Sequence, residues 1–343
     1  MKALVLSEYN RFDYQDRPEP EVGPDEVLVR VKACGICGSD VHGMDGSTGR
    51  RQPPIVMGHE AAGVIAQVGG NVTEWEKGER VTFDSTVYCG KCWFCRRGEI
   101  SLCDNRRVLG VSCDDYRLDG ALAEYVAVPQ HILYRLPGDL GFERATLVET
   151  LSIALHAVAR VCVSPDDTAL VMGAGMVGLL VVQGLRLAGC GKIIAVDLEQ
   201  DRLDLACRLG ADAGLKADSV DVPAEVLKLT GGRGADVAVE AVGITPSVNS
   251  ALASLRKGGV LTLVGNLSPT IELPLQAVVA GEITVCGSYA SQGEYPAAIE
   301  AITSGRVNVE ALISATAPLS EGAAWFKRLH DREPGLLKVV LEP

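Results

Sequence analysis

The chain has 343 residues, 47% of them apolar and 22% charged, a balance that excludes disorder and suffices for two domains with separate cores. Its 32 Lys and Arg against 44 Asp and Glu leave a net charge of −12, which argues against nucleic acid or an anionic membrane surface as the main partner. The longest uncharged apolar run, 169–182, has 14 residues and is glycine-rich, too short to span a bilayer.

The first segment, "MKALVLSEYNRFDYQ", turns polar after six residues, too early for a secretion signal, so a cytoplasmic protein is expected. Through residue 150 the chain gives short β-like runs: "EVLVRVKA", "AAGVIAQVG", "ERVTF" and "ALAEYVAVP". Gly and Pro turns separate them, which predicts a small β-barrel-like domain.

Two stretches in this part carry reactive side chains. "CGICGSDVHG" holds Cys37, Ser39, Asp40 and His42, and "GHEAAG" holds His59 and Glu60. A cysteine and a histidine with a carboxylate, short of four ligands, is what an open catalytic zinc site requires. Cys34 and Cys37 have redox-pair spacing, but no thioredoxin-like βαβ pattern surrounds them. Arg50 and Arg51 could hold a phosphorylated substrate; a solvated basic pair is the plainer expectation.

"YCGKCWFCRRGEISLC" places Cys89, Cys92, Cys95 and Cys103 in one loop. Four thiolates at C-x2-C-x2-C-x7-C spacing fit a closed tetrahedral zinc site with a structural role. Lys91, Arg96 and Arg97 can offset its negative charge. An iron–sulfur cluster is the alternative. The cysteine total, 11, is odd and disfavours a disulfide framework; most of the others read as small core residues.

Residues 169–172 form an apolar run that feeds into Gly173-Ala-Gly175-Met176-Val177-Gly178. A helix over 179–188 and a strand over 192–196, ending at Asp197, follow. A lone G-x-G-x-x-G means little. Here it follows a strand, opens a helix and has an acid 19 positions past its last glycine, the context of a dinucleotide site. The pyrophosphate would rest on the helix N-terminus. Asp197 would accept hydrogen bonds from the ribose and repel a 2′-phosphate, favouring NAD. Arg202 joins the expected cofactor contacts.

Helices over 200–209 and 222–229 alternate with strands over 236–241, 260–264 and 283–286, one doubly wound sheet from about 154 to 290. The strand ends "AVG" and "LVG", with Val242 and Gly265, fall where the nicotinamide half would lie. His156 reads as packing, and His131 and His330 suggest no role.

Four motifs in this order, over essentially the whole chain, resemble the zinc-dependent medium-chain alcohol dehydrogenases. "GHEAAGVIAQVGGNV" is similar to that family's signature, "CGICGSDVH" to its first zinc-ligand loop and the four-cysteine loop to its structural lobe. The resemblance implies a GroES-like catalytic domain over 1–153, with the zinc lobe at about 88–104. A Rossmann NAD-binding domain over 154–290 and a return to the catalytic domain over 291–343 complete it. It implies two zinc ions per chain, and a homodimer or homotetramer.

It also implies that Cys37 and His59 ligate the catalytic zinc. Glu60 and Glu149 both stand as candidate third ligands. In many relatives a cysteine occupies the place of Glu149, and "VETLSIALHA" is similar to the polyol (sorbitol-type) branch. Adjacent residues on a regular strand point to opposite faces, so His59 and Glu60 can both ligate only off a regular strand; on that ground Glu149 is preferred. The implied reaction oxidises a secondary alcohol to a ketone with hydride transfer to NAD. Its proton leaves through Ser39, the cofactor ribose and His42. The alternatives are an L-threonine 3-dehydrogenase or a general alcohol dehydrogenase, and a non-enzymatic NAD-binding relative.

Overall fold

A computed structural model describes residues 1–343. By internal contact the chain divides into Met1–Glu149 with Tyr295–Pro343, and Thr150–Glu294. The first division falls inside the continuous helix Leu147–Ala159 rather than in a loop, which is why turn signals did not mark it.

The first unit is built on a mostly antiparallel seven-stranded sheet. At its centre Glu26–Gly35 pairs antiparallel with Glu60–Val68, Tyr125–Pro129 and the C-terminal Lys338–Glu342. Lys338–Glu342 in turn pairs in parallel with Ile313–Pro318, so the C-terminal residues complete a sheet whose other strands lie between residues 26 and 135. Val27, Val29 and Val31 alternate on one face of the central strand and are fully or almost fully buried. Phe83, Ile65 and Leu109 lie in the same core. Burying each such side chain is worth about 1.5–3 kcal/mol, so these strands hold the frame that carries the reactive side chains. Lys2–Glu8 and Arg11–Asp16 form a hairpin that strand patterning did not predict.

The second unit is a parallel sheet of six strands. Their spatial order is Ala213–Lys216, Lys192–Asp197, Thr168–Met172, Ala235–Glu240, Leu255–Leu263 and Thr284–Gly287. That is the 3-2-1-4-5-6 order of a doubly wound dinucleotide-binding sheet. Thr168–Met172 is buried at every residue, as a strand covered on both faces must be. The helix after it begins at Met176, inside the glycine motif, and runs to Leu187. Gly178 lets this first turn lie against the preceding loop, since a Cβ there would sit 1.8 Å from the carbonyl oxygen of Gly173. The edge strand Ala213–Lys216 and the helix Thr245–Ser254 were not anticipated. No helix is long and apolar enough to cross a membrane.

Candidate metal centres and cofactor loop

The four-cysteine loop folds around a short helix, Trp93–Arg96, capped by Cys92. The sulfurs of Cys89, Cys92, Cys95 and Cys103 all lie within 4.8 Å of one another. Local donors point at them: Cys89 N–H reaches Cys103 Sγ at 3.2 Å, and Asn105 Nδ2 reaches Cys89 Sγ at 3.6 Å. The backbone N–H of Lys91, first among several donors, holds the Cys89 thiol down at about 6, while burial pushes Cys95 up to about 12. Four sulfur donors with no other ligand type match structural zinc. Of the cations expected to balance their charge, Arg97 pairs with Glu99 at 3.1 Å and lies over the Trp93 ring, and Arg96 donates to the Lys91 carbonyl.

The second group is deeper. Cys37, His59 and Glu60 also bring one ligand atom each within 4.8 Å of the others. Cys37 caps the helix Gly38–Gly43, which carries Ser39, Asp40 and His42. His59 precedes the strand Glu60–Val68 instead of lying within it. Gly58 makes this possible: its φ of +95° turns the chain just before His59, and a Cβ there would strike Leu122 and Cys34. The condition that disfavoured joint ligation by His59 and Glu60 is therefore absent, and with it the ground for preferring Glu149. Burial drives the Cys37 thiol well above its usual range. Sulfur, nitrogen and oxygen donors at three points, one short of a closed shell of four, fit a catalytic zinc ion.

Each member has a partner of its own. Glu60 is fully buried and accepts from Lys338 Nζ, which also donates to the Ile36 carbonyl at 3.1 Å. Burial lowers the affinity of Lys338 for its proton, but Glu60, Cys37 and Glu149 more than offset this and raise it. His59 Nδ1 faces Asp40 Oδ2 at 3.5 Å. Ser39 Oγ donates to Cys37 Sγ at 3.3 Å, and His42 on the same helix is exposed.

Glu149 lies outside the three-residue group but beside it. Its Oε1 accepts from Ser85 Oγ at 2.9 Å, and its Oε2 is buried without a hydrogen-bond partner. Burial pushes its carboxyl up to about 7; His59 opposes the rise and Glu60 adds to it. Ser85 N–H donates to the buried Tyr295 hydroxyl at 3.3 Å, and Tyr295 stacks on Tyr134. Sequence spacing offered no signal for Ser85, Tyr295 or Lys338, each joined to its partner across long separations. Two plainer expectations also change. Arg51 is not a solvated cation but is buried on Asp40, and His156 shares a hydrogen bond with Glu294 at 2.8 Å. Cys162 and Cys207, expected in the core, are exposed, and all 11 cysteines are free.

In the second unit Asp197 serves the glycine loop. Its Oδ2 accepts from Ala174 N–H at 2.6 Å, and its Oδ1 accepts from Leu198 and Glu199 N–H at 2.8 and 3.0 Å. Gly175 caps the helix, and a Cβ there would meet nothing within 4 Å, leaving open space at the helix N-terminus. Met176 and Val177 begin that helix, and Arg202 lies half-buried on Gln200–Arg208. At the ends of the neighbouring strands, Val242 N–H donates to Glu240 Oε1, and Gly265 packs against the backbone of Val242 and Gly243. An open glycine turn with an anchored carboxylate suits a dinucleotide.

Comparison with known proteins agrees with this chemistry. The model for the alcohol dehydrogenase GroES-like domain matches residues 23–138, and that for zinc-binding dehydrogenase matches residues 176–304. Sorbitol dehydrogenase of Bacillus subtilis (strain 168) is 35% identical over 348 residues, covering 100% of this chain and 97% of that protein. Among solved structures, galactitol-1-phosphate dehydrogenase from Escherichia coli is 27% identical with a TM-score of 0.92, covering 100% of both chains. An alcohol dehydrogenase from E. coli CFT073 complexed with NADH is 28% identical with a TM-score of 0.92, covering 100% of this chain and 99% of that one.

Proposed function

Since the chain belongs to the zinc-dependent alcohol dehydrogenase family of medium-chain oxidoreductases, we propose that it oxidises a secondary hydroxyl of a polyol or sugar alcohol to a ketone, with NAD as hydride acceptor. The observation that carries this reading is the Cys37–His59–Glu60 group with a second carboxyl group beside it, that of Glu149, one of whose oxygens has no hydrogen-bond partner. Zinc held there would lower the pKa of a substrate hydroxyl by several units, and NAD would take the hydride from its carbon.

The chain's own residues supply the rest. Ser39, beside the Cys37 sulfur, accepts the hydroxyl proton, and exposed His42 passes it to water. Glu149, with Oε1 held by Ser85, turns Oε2 to a neighbouring hydroxyl of the substrate, which a monohydric alcohol lacks. Gly173 to Gly178 hold the pyrophosphate, Asp197 and Arg202 face the adenosine ribose, and Val242 and Gly265 border the nicotinamide half. The four cysteines 89, 92, 95 and 103 hold a second zinc that stabilises the lobe.

Eleven free thiols, four of them clustered, suit a reducing cytoplasm. A homo-oligomer is supported by the open edge strand Thr284–Gly287 and the neighbouring helix Leu275–Ala280, which exposes Leu275 and Val279 at 67% each.

The test is a screen of sugar alcohols, their phosphates, threonine and a simple secondary alcohol, followed by NADH absorbance, with metal analysis. Turnover highest on a polyol with about two zinc ions per chain is expected. Preference for threonine or for the monohydric alcohol would overturn the substrate reading. Asp197→Ser should raise the NADP-to-NAD ratio of kcat/KM by about 10- to 1000-fold, at roughly 1.4 kcal/mol per tenfold. A wild-type enzyme that already prefers NADP would sink the cofactor assignment.

A further inference from the structure

Arg51 is 4% exposed, and its contacts are not those of a surface cation. Nε donates to Asp40 Oδ1 at 2.9 Å, and Nη2 reaches the same oxygen at 2.7 Å. Nη2 also donates to Ser39 Oγ at 3.4 Å, and Nη1 donates to the Arg50 carbonyl at 3.0 Å. Asp40 is fully buried. Its Oδ2 and His59 Nδ1 face each other at 3.5 Å, and neither has a hydrogen-bond partner. Ser39 in turn donates to Cys37 Sγ. One guanidinium thus touches the carboxylate that faces the histidine and the hydroxyl that faces the cysteine. The fold reserves space for it: a Cβ on Gly43 would lie 2.7 Å from Arg51 Cγ.

We propose that Arg51 is a positioning residue for the reaction, holding Asp40 against His59 and Ser39 against Cys37. The proposal rests on the zinc-dehydrogenase reading above. A carboxylate opposite a ligating histidine fixes its ring and tautomer and leaves the far nitrogen for the metal. A buried carboxylate with one free oxygen can turn either oxygen to the histidine unless the other is clamped. The Arg fork clamps it, because its donors lie in one rigid plane. A lysine at this place would supply the charge but could not serve Asp40, Ser39 and the Arg50 carbonyl together.

Arg51→Lys keeps the charge and removes the fork; Gly43→Ala keeps the arginine and displaces its stem. Each is compared with wild type as the full-length, zinc-loaded enzyme. Zinc release to a chromogenic chelator, NADH affinity, kcat and KM are measured. In both variants one zinc per chain should leave about 10- to 100-fold faster and kcat should fall over a similar range. The other zinc, NADH affinity and KM should hold. The variant pair also keeps the test open if one of them folds poorly. Asp40→Asn combined with Arg51→Lys should release zinc no faster than Asp40→Asn alone, since Arg51 reaches the histidine through Asp40. Additive losses would mean a merely structural arginine and overturn the proposal, as would wild-type release rates in whichever variants fold. If the wild-type enzyme oxidises no alcohol, the functional reading falls, whereas the release rates still decide the role of Arg51.

Discussion

The chain gathers groups fit to hold a metal in two places by opposite means. Residues 89–103 supply four like atoms from one loop, ordered by that loop's own N–H groups and by Asn105. Cys37, His59 and Glu60 supply three unlike atoms from two segments, and two of them depend on residues from other segments: Lys338 for Glu60, Asp40 and Arg51 for His59. A closed sulfur shell satisfies itself, so a short loop can carry it. A site that keeps a position open leaves donors and charges unsatisfied. These must be held apart by a rigid frame, and here the frame is the sheet that joins Glu26–Gly35, Glu60–Val68 and Lys338–Glu342.

The sharpest way to break this contrast is to remove one donor from each place. Cys37→Ala should lower kcat by about a thousandfold or more, the worth of several kcal/mol of transition-state stabilisation. The melting temperature should stay within a few degrees, and one zinc per chain should remain. If kcat survives, the deep group is not the reactive one. Cys95→Ala should do the reverse. Loss of the lobe metal should lower the melting temperature by roughly 5–10 °C, about 2–4 kcal/mol, because metal binding in such lobes is folding free energy. Turnover per folded molecule should change little. Cys95→Ala protein that keeps all its zinc and its melting temperature would show that the lobe is not a metal site.

The same contrast explains what could be read from the sequence. The lobe was legible because all its donors and most of its geometry lie within 15 residues, where spacing is structure. The glycine motif was legible for a like reason: strand, turn and helix N-terminus are contiguous, and the acid of Asp197 ends the next strand. The deep site was legible only in part. Cys37, His59 and Glu60 stood out as residue types, but their convergence depends on Gly58 turning the chain ahead of His59, and alternation along a regular strand argued against it. Arg51 looked like a surface cation because nothing local reveals that Asp40 waits 11 residues back. Ser85 and Tyr295, separated by 210 residues, meet only once the C-terminal segment has returned to the first unit. The hairpin Lys2–Asp16 was missed because its second strand, Arg11–Asp16, is largely polar and buries no residue fully, so neither period stands out.

The smallest expected effect probes the border between the two kinds of site. Glu149 is held like a framework residue at one oxygen and left like a reactive one at the other. A carboxylate in such surroundings is held only if something uses the free oxygen, since a buried, unpaired acceptor costs about 1–3 kcal/mol. If the user is a second hydroxyl of the substrate, the loss should depend on the substrate. Glu149→Gln preserves size and the acceptor for Ser85 while removing the charge. On a sugar alcohol kcat/KM should fall about tenfold, near 1.4 kcal/mol; on a monohydric secondary alcohol the fall should be about threefold or less. Both zinc ions and NADH affinity should be retained. Equal losses on the two substrates would remove the diol contact and leave Glu149 acting through charge alone. Loss of one zinc would instead make it a ligand and reopen the choice between Glu60 and Glu149. Near-normal turnover on both substrates, with both metals in place, would return Glu149 to the framework and leave Glu60 as the carboxylate that matters.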